Sequence, residues 1–190
     1  MNSKELILEC IEHKANGSIP IDLGSTLVTG MHFSHIKKLR NFFNINGNPI
    51  KIIEPAQMLG DLSLELKKRL GVDTAGILPY KNIFGVKNNN WQNWKLPNEE
   101  TVQFPRELII NSNENEIFTY PQGDSIVKPS GAMNADSICF DIIPRKQYAD
   151  MENLSILDNL EEFNLISEDN LQHLQSEIKR VKNQNRAVIY

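Results

Sequence analysis

The chain has 190 residues, 40% of them hydrophobic and 23% charged, with a formal net charge of -4 at pH 7 and a pI near 5.6. That composition excludes a disordered or fibrous chain and leaves enough apolar material for one substantial core. The mildly acidic balance gives no footprint for nucleic acid, and no apolar run approaches the roughly 20 residues that span a bilayer, so neither is an expected partner.

In chain order, Ser3 suits the cap of a first helix whose apolar positions Leu6, Ile7, Cys10 and Ile11 share one face, with a stop before Asn16-Gly17. It reads as a lid or brace, with Cys10 in the core. A short strand from Ile19 to Leu23 then runs into small, polar, turn-forming residues, which is how a barrel strand delivers a binding loop. Asp22, Ser25, Thr26 and His32 offer donors and acceptors there, while Gly24 and Gly30 let the backbone turn or a ligand come close. Ser34 is placed to cap a second helix carrying Ile36, Leu39, Phe42 and Phe43 at helical spacing, and Asn46-Gly47-Asn48-Pro49 ends it. Ile50 to Ile53 reads as a buried strand.

Pro55 to Gly71 is expected to be helical in two pieces, since Pro55 suits a first turn and Gly60-Asp61 makes a break before Leu62, Leu64, Leu66 and Leu70. Lys67, Lys68 and Arg69 read as an exposed basic face of that helix. Val72 to Leu78 is a third candidate strand. Strand, helix, strand, helix, strand is the pattern of parallel sheets covered by helices.

Residues 79–148 break the pattern and read as a β-rich excursion, with short strands at Thr101 to Phe104, Glu107 to Asn111 and Glu116 to Tyr120 and a hairpin loop at Ser112-Asn113-Glu114-Asn115. Trp91 and Trp94 would either hold that hairpin together as a small core or stack on a planar ligand. Ser167 with Asp169 opens a long helix whose apolar face is Leu171, Leu174, Ile178 and Val181, with Glu177, Lys179 and Arg180 toward water. It feeds Ala187-Val188-Ile189-Tyr190, which reads as the start of another buried strand. A complete (β/α)8 barrel needs about 250 residues. The expected fold is therefore α/β, a truncated (β/α)8 TIM barrel (its first half) within a single domain over 1–190, with an N-terminal helix and a β-rich hairpin insertion.

Cys10 and Cys139 form neither a CxxC pair nor a zinc-finger spacing, and with thiols this sparse and no export signal the expected compartment is the reducing cytoplasm. No Gly-rich phosphate loop, HExxH or GxSxG occurs, which removes the usual sequence support for nucleotide hydrolysis, zincin proteolysis and the α/β-hydrolase triad. His13, His32, His35 and His173 are scattered. His32 and His35 lie three apart, but no third ligand is indicated, so no metal site is expected. In a parallel barrel the reactive groups sit where the strands end, which selects Asp22 to Thr26, Glu54 and Gln57, and the region up to Tyr80. Asp22 and Asp73 are the candidate catalytic carboxylates, either as a general acid or base or simply as acceptors for backbone amides. Gly24, Ser25, Thr26, His32, Gln57 and Tyr80 are the candidate lining of a substrate or cofactor pocket.

Several segments in order resemble the uroporphyrinogen decarboxylase superfamily, especially its branch of corrinoid-linked methyltransferases. They are the opening helix from Ser3-Lys4-Glu5, Ile19-Pro20-Ile21-Asp22-Leu23-Gly24-Ser25, Pro55-Ala56-Gln57-Met58-Leu59-Gly60, Leu70-Gly71-Val72-Asp73, and the run from Tyr120-Pro121 through Gly123-Asp124 and Pro129-Ser130-Gly131 to Phe140-Asp141. The similarity covers nearly the whole chain but only the N-terminal half of such a protein. It implies a (β/α)8 barrel and a cytoplasmic enzyme with a deep cleft at the barrel mouth. Decarboxylases of the family carry an arginine-rich motif just after the first strand to hold the substrate's propionates; Leu23 to Val28 has no arginine, and Ser25 and Thr26 cannot reproduce bidentate guanidinium pairing.

The resemblance thus implies methyl transfer between a small substrate and a corrinoid (cobalamin) protein, with tetrapyrrole decarboxylation as the alternative. Methyltransferases of the family hold zinc through a His-x-Cys and a later Cys in their C-terminal half, and neither Cys10 nor Cys139 stands in such a motif. The resemblance therefore puts zinc, like corrinoid binding, with the full-length protein. A third expectation is that these residues alone act as a binding module or an inactive fragment, since an open half-barrel exposes strand edges.

Overall fold

The computed structural model describes residues 2–14, 17–96, 98–108, 110–113, 116–144 and 165–190. Helix α1 (Ser3–Ile11) is capped by Asn2 rather than Ser3: Glu5 N donates to Asn2 Oδ1 at 2.9 Å, and Asn2 N donates back to the Glu5 carboxylate at 2.8 Å. None of its residues is buried, and Cys10 is half-buried rather than in the core. The helix sits against the last strand as a brace.

Ile19 to Leu23 is not a ladder strand. Ile21 N donates to the Asp73 carboxylate at 2.9 Å and Asp73 N donates to Ile21 O at 2.8 Å, so a side chain supplies half of this segment's pairing. Pro20, which has no N–H, removes a donor a ladder would need. Helix α2 (Phe33–Phe42) is capped by His32, two residues before the expected Ser34; it buries Phe33 and Ile36 and leaves Phe42 exposed.

Strand β1 (Ile50–Glu54) is followed by a tight turn, not a helix. The buried Glu54 carboxylate accepts from Ala56 N at 3.0 Å and Gln57 N at 2.7 Å, and Met58 takes a left-handed φ of 55°. These two bonds hold the amides that a helix opening at Pro55 would have presented at its N-terminus. The chain instead doubles back as β2 (Leu59–Gly60), antiparallel to β1 with Ile52 opposite Gly60. Ser63 caps a single short helix α3 (Leu64–Arg69), and β3 (Thr74–Gly76) occupies the middle of the expected third strand.

The expected excursion is rich in strands throughout its described part. Strands β4 (Trp91–Lys95) and β5 (Thr101–Pro105) form a hairpin, and β6 (Ile110–Ser112), β7 (Glu116–Thr119), β8 (Gly131–Asn134) and β9 (Asp141–Ile142) form an antiparallel meander. Pro105 to Leu108 is a turn, which moves the start of β6 to Ile110. The excursion is no appendage. β5 pairs in parallel with β1, Ile50 against Val102, giving a sheet of order β2-β1-β5-β4. One core runs from Phe33, Ile36 and Ile52 through Val102, Phe104 and Leu108 to Ile117, Met133 and Phe140.

Ser167 caps α4 (Glu168–Val181), accepting from Asn170 N at 3.2 Å, and the chain then enters β10 (Ala187–Ile189), which pairs in parallel with β3. The fold is α/β, with three sheets and four α-helices among the described residues and no closed barrel there. No helix among those residues is long and apolar enough to cross a membrane.

Candidate functional site

A cavity of about 110 Å³ opens at the carboxyl ends of β1 and β3. Its walls are the loop Gly24–Leu27, the entry to α3 from Asp61 to Leu64 with Lys67, the exit from β3 from Gly76 to Pro79, and Arg180 with Gln184 beyond it. Asn88 ties the two strand ends together: its Nδ2 donates to Ile53 O and to Pro79 O, both at 3.2 Å. The loop lies directly on β3, because Gly76 has no side chain. A Cβ at Gly76 would run into the backbone of Ser25.

Three ionisable groups face this space. Lys67 is only 8% exposed, unlike its neighbours Lys68 and Arg69 on the outer side of α3, so the expected basic face is split between interior and solvent. A helix of 100° per residue separates the two sides. The Lys67 ammonium donates one hydrogen bond, to Gly24 O at 3.3 Å. Burial pushes its pKa down and Arg180 and Arg186 act in the same direction, against the pull of Asp61 and Asp22. The half-buried Asp61 carboxylate makes no hydrogen bond or ion pair with another described residue. Burial raises its pKa, only partly offset by Lys67, Arg180 and Lys51.

Glu177 does not face water as the helical pattern suggested, whereas Arg180 is exposed as expected and reaches inward with its guanidinium. The Arg180 guanidinium forks onto the Glu177 carboxylate, its Nη2 2.7 Å from Oε2, and also donates to Gly76 O at 3.0 Å. Glu177 accepts from Leu78 N at 3.0 Å, and His173 Nε2 lies 2.7 Å from Leu78 O. The polar side of α4 thus grips the exit of β3, whereas Leu171 and Ile178 remain exposed. Burial would raise the Glu177 carboxyl, but Arg180 and the Leu78 amide outweigh it and hold the group below its ordinary value.

Of the residues singled out by sequence, Gly24, Ser25 and Thr26 line the cavity. Asp22 is exposed, and its Oδ1 accepts from Thr74 Oγ1 at 2.6 Å and from Ser25 Oγ. Asp73 holds the Ile21 amide. Both act here as acceptors that fix the loop, and neither lines the cavity. Tyr80 lies just past it, its hydroxyl 3.1 Å from Asp169, with the Lys87 ammonium 5.3 Å from its ring centroid.

Gln57 is exposed in the turn after β1, where its amide serves Glu54. His32 belongs to a separate small pocket beside Phe33, Met58, Met133 and Ile138. Its Nδ1 accepts from Ser34 N, and its Nε2 is 2.8 Å from Ile138 O, which a neutral ring protonated at Nε2 satisfies. Trp91 and Trp94, three apart on β4, point to opposite faces; Trp94 packs on the core and Trp91 lies under Lys51, so they form no single stacking platform.

No family model, curated protein or solved structure matches this chain.

Sequence reasoning missed Asp61, Lys67 and Arg180. The signal present was a lone charge at a helix break and basic residues on helices whose inner faces were assigned by apolar periodicity alone. Asp61 also makes a direct prediction. Because its folded pKa is raised, its carboxyl supports the fold fully below the ordinary aspartate range, and that support is lost as pH rises through the raised value. Asp61→Asn is therefore expected to have a higher Tm than the parent at neutral pH, with the gap closing on acidification. Parallel Tm curves across that range would contradict it.

Proposed function

We propose that the protein is an enzyme of the uroporphyrinogen decarboxylase superfamily, that its α/β framework belongs to a (β/α)8 barrel, and that the cavity beside Lys67 and Asp61 is its substrate site. The observation that carries the reading is the cavity's position at the carboxyl ends of β1 and β3, the end at which barrel enzymes collect their reactive groups. The ordered sequence segments supply the family, and the parallel pairing of β3 with β10, which the chain enters from α4 after the intervening strands β4 to β9, supports the barrel reading.

The leading activity is methyl transfer between a small substrate and a corrinoid protein. The corrinoid would carry the methyl group on its cobalt. A cavity of this size cannot enclose a corrin ring, so the ring would be presented at the mouth by its own protein. A thiol or amine acceptor that carries a proton loses it on methylation, and an ionised Asp61 is placed to accept it beside the wall shaped by Gly24 to Thr26. The sequence has no His-x-Cys, and no cluster of three His, Cys, Asp or Glu occurs among the described residues, so none of them is assigned to zinc.

One observation favours the second reading, decarboxylation. Lys67 and Arg180 bring positive charge to a cavity whose loop has none, and a protonated Asp61 could deliver the proton that replaces carbon dioxide. Incubation of the full chain with methylcobalamin and a panel of thiols and amines, followed by visible absorbance, separates the two. Loss of the methylcobalamin spectrum with one acceptor is expected. An unchanged spectrum with all of them removes methyl transfer, and carbon dioxide release from a carboxylated tetrapyrrole would then establish the second activity.

A further inference from the structure

Two cationic side chains, Lys67 and Arg180, line the cavity, and their donors are unspent. Lys67, more than nine-tenths buried, uses one hydrogen bond of the three its ammonium can donate, and Arg180 Nη1 makes none among the described residues. A buried ammonium in that condition costs free energy until an acceptor arrives. The volume of about 110 Å³ is well below the roughly 300 Å³ at which pockets enclose a whole drug-sized ligand, so it suits one end of a substrate.

We infer that this cavity is a subsite for a single carboxylate of the substrate, held between the Lys67 ammonium and the free edge of the Arg180 guanidinium, with Asp61 beside it. The planar carboxylate can accept from both cations at once. Glu177 positions Arg180 rather than competing with the ligand, because both of its oxygens are already occupied by the guanidinium and the Leu78 amide. The inference rests on reading the cavity as the substrate site.

Acetate is the probe, with acetamide as the neutral shape-matched control and sodium chloride at equal ionic strength as the salt control. Thermal unfolding of the full chain is expected to shift upward with acetate concentration beyond either control. Lys67→Met, which keeps the buried stem and removes the charge, is expected to weaken acetate binding by about tenfold or more. Equal shifts with acetate and acetamide, or unchanged acetate binding in Lys67→Met, would each overturn the assignment. If that variant does not fold, the comparison of acetate with acetamide on the unaltered chain decides alone. No corrinoid is in the assay, so failure of methyl transfer and failure of the subsite give separate signals.

Discussion

Truncating Phe104 to alanine is expected to destabilise the protein by about 3–5 kcal/mol, a fall in Tm on the order of 10 °C. Phe104 is 1% exposed on β5, the strand that joins β1 to the β4 hairpin, and it belongs to the core that also holds the β6–β9 meander. Removing its ring leaves a cavity where two parts of the chain meet. Because β1 and β5 share a ladder, the loss should shift one cooperative transition seen by both tryptophan fluorescence and far-UV circular dichroism. Two separated transitions would mean that the β-rich segment folds as its own unit.

Gly76→Ala carries the second large effect. At this position the obstacle is the Ser25 backbone rather than the end of a flexible side chain, so relief requires the whole Gly24–Leu27 loop to move. A cost of about 1–3 kcal/mol is expected, together with loss of the acetate-dependent stabilisation, since the displaced loop includes Gly24 O, the acceptor that orients Lys67. Gly71→Ala is the control. Nothing lies within 4 Å of a Cβ there, though its φ of 66° adds backbone strain, so it should lower Tm and leave the acetate response intact. A Gly76→Ala protein with a normal acetate response would show that loop and strand need not touch.

Helix α4 and the hairpin from β6 to β7 were the parts of this protein most legible in its sequence. The Ser167 cap, the length of α4 and the hairpin from β6 to β7 follow from local rules: a side-chain oxygen on orphan amides, a 3.6-residue period and turn residues between alternating strands. Where a side chain took over backbone bonding, local rules failed. Glu54 capped the Ala56 and Gln57 amides and turned an expected helix into a tight turn, and Asp73 paired with Ile21 in place of a neighbouring strand.

The candidate site divided in the same way. Composition and local pattern alone determined that this is an α/β chain with a polar, glycine-bearing loop at residues 24–26, because turn chemistry and amphipathic period are written in consecutive residues. Only tertiary structure decided that Lys67 from α3, Asp61 before it and Arg180 from α4 meet at the end of β3. Periodicity says which side of a helix is apolar, but a charged residue is brought inward by what it meets there. Gly76 O and the Leu78 amide, which Arg180 and Glu177 bind, lie about a hundred residues away in the chain.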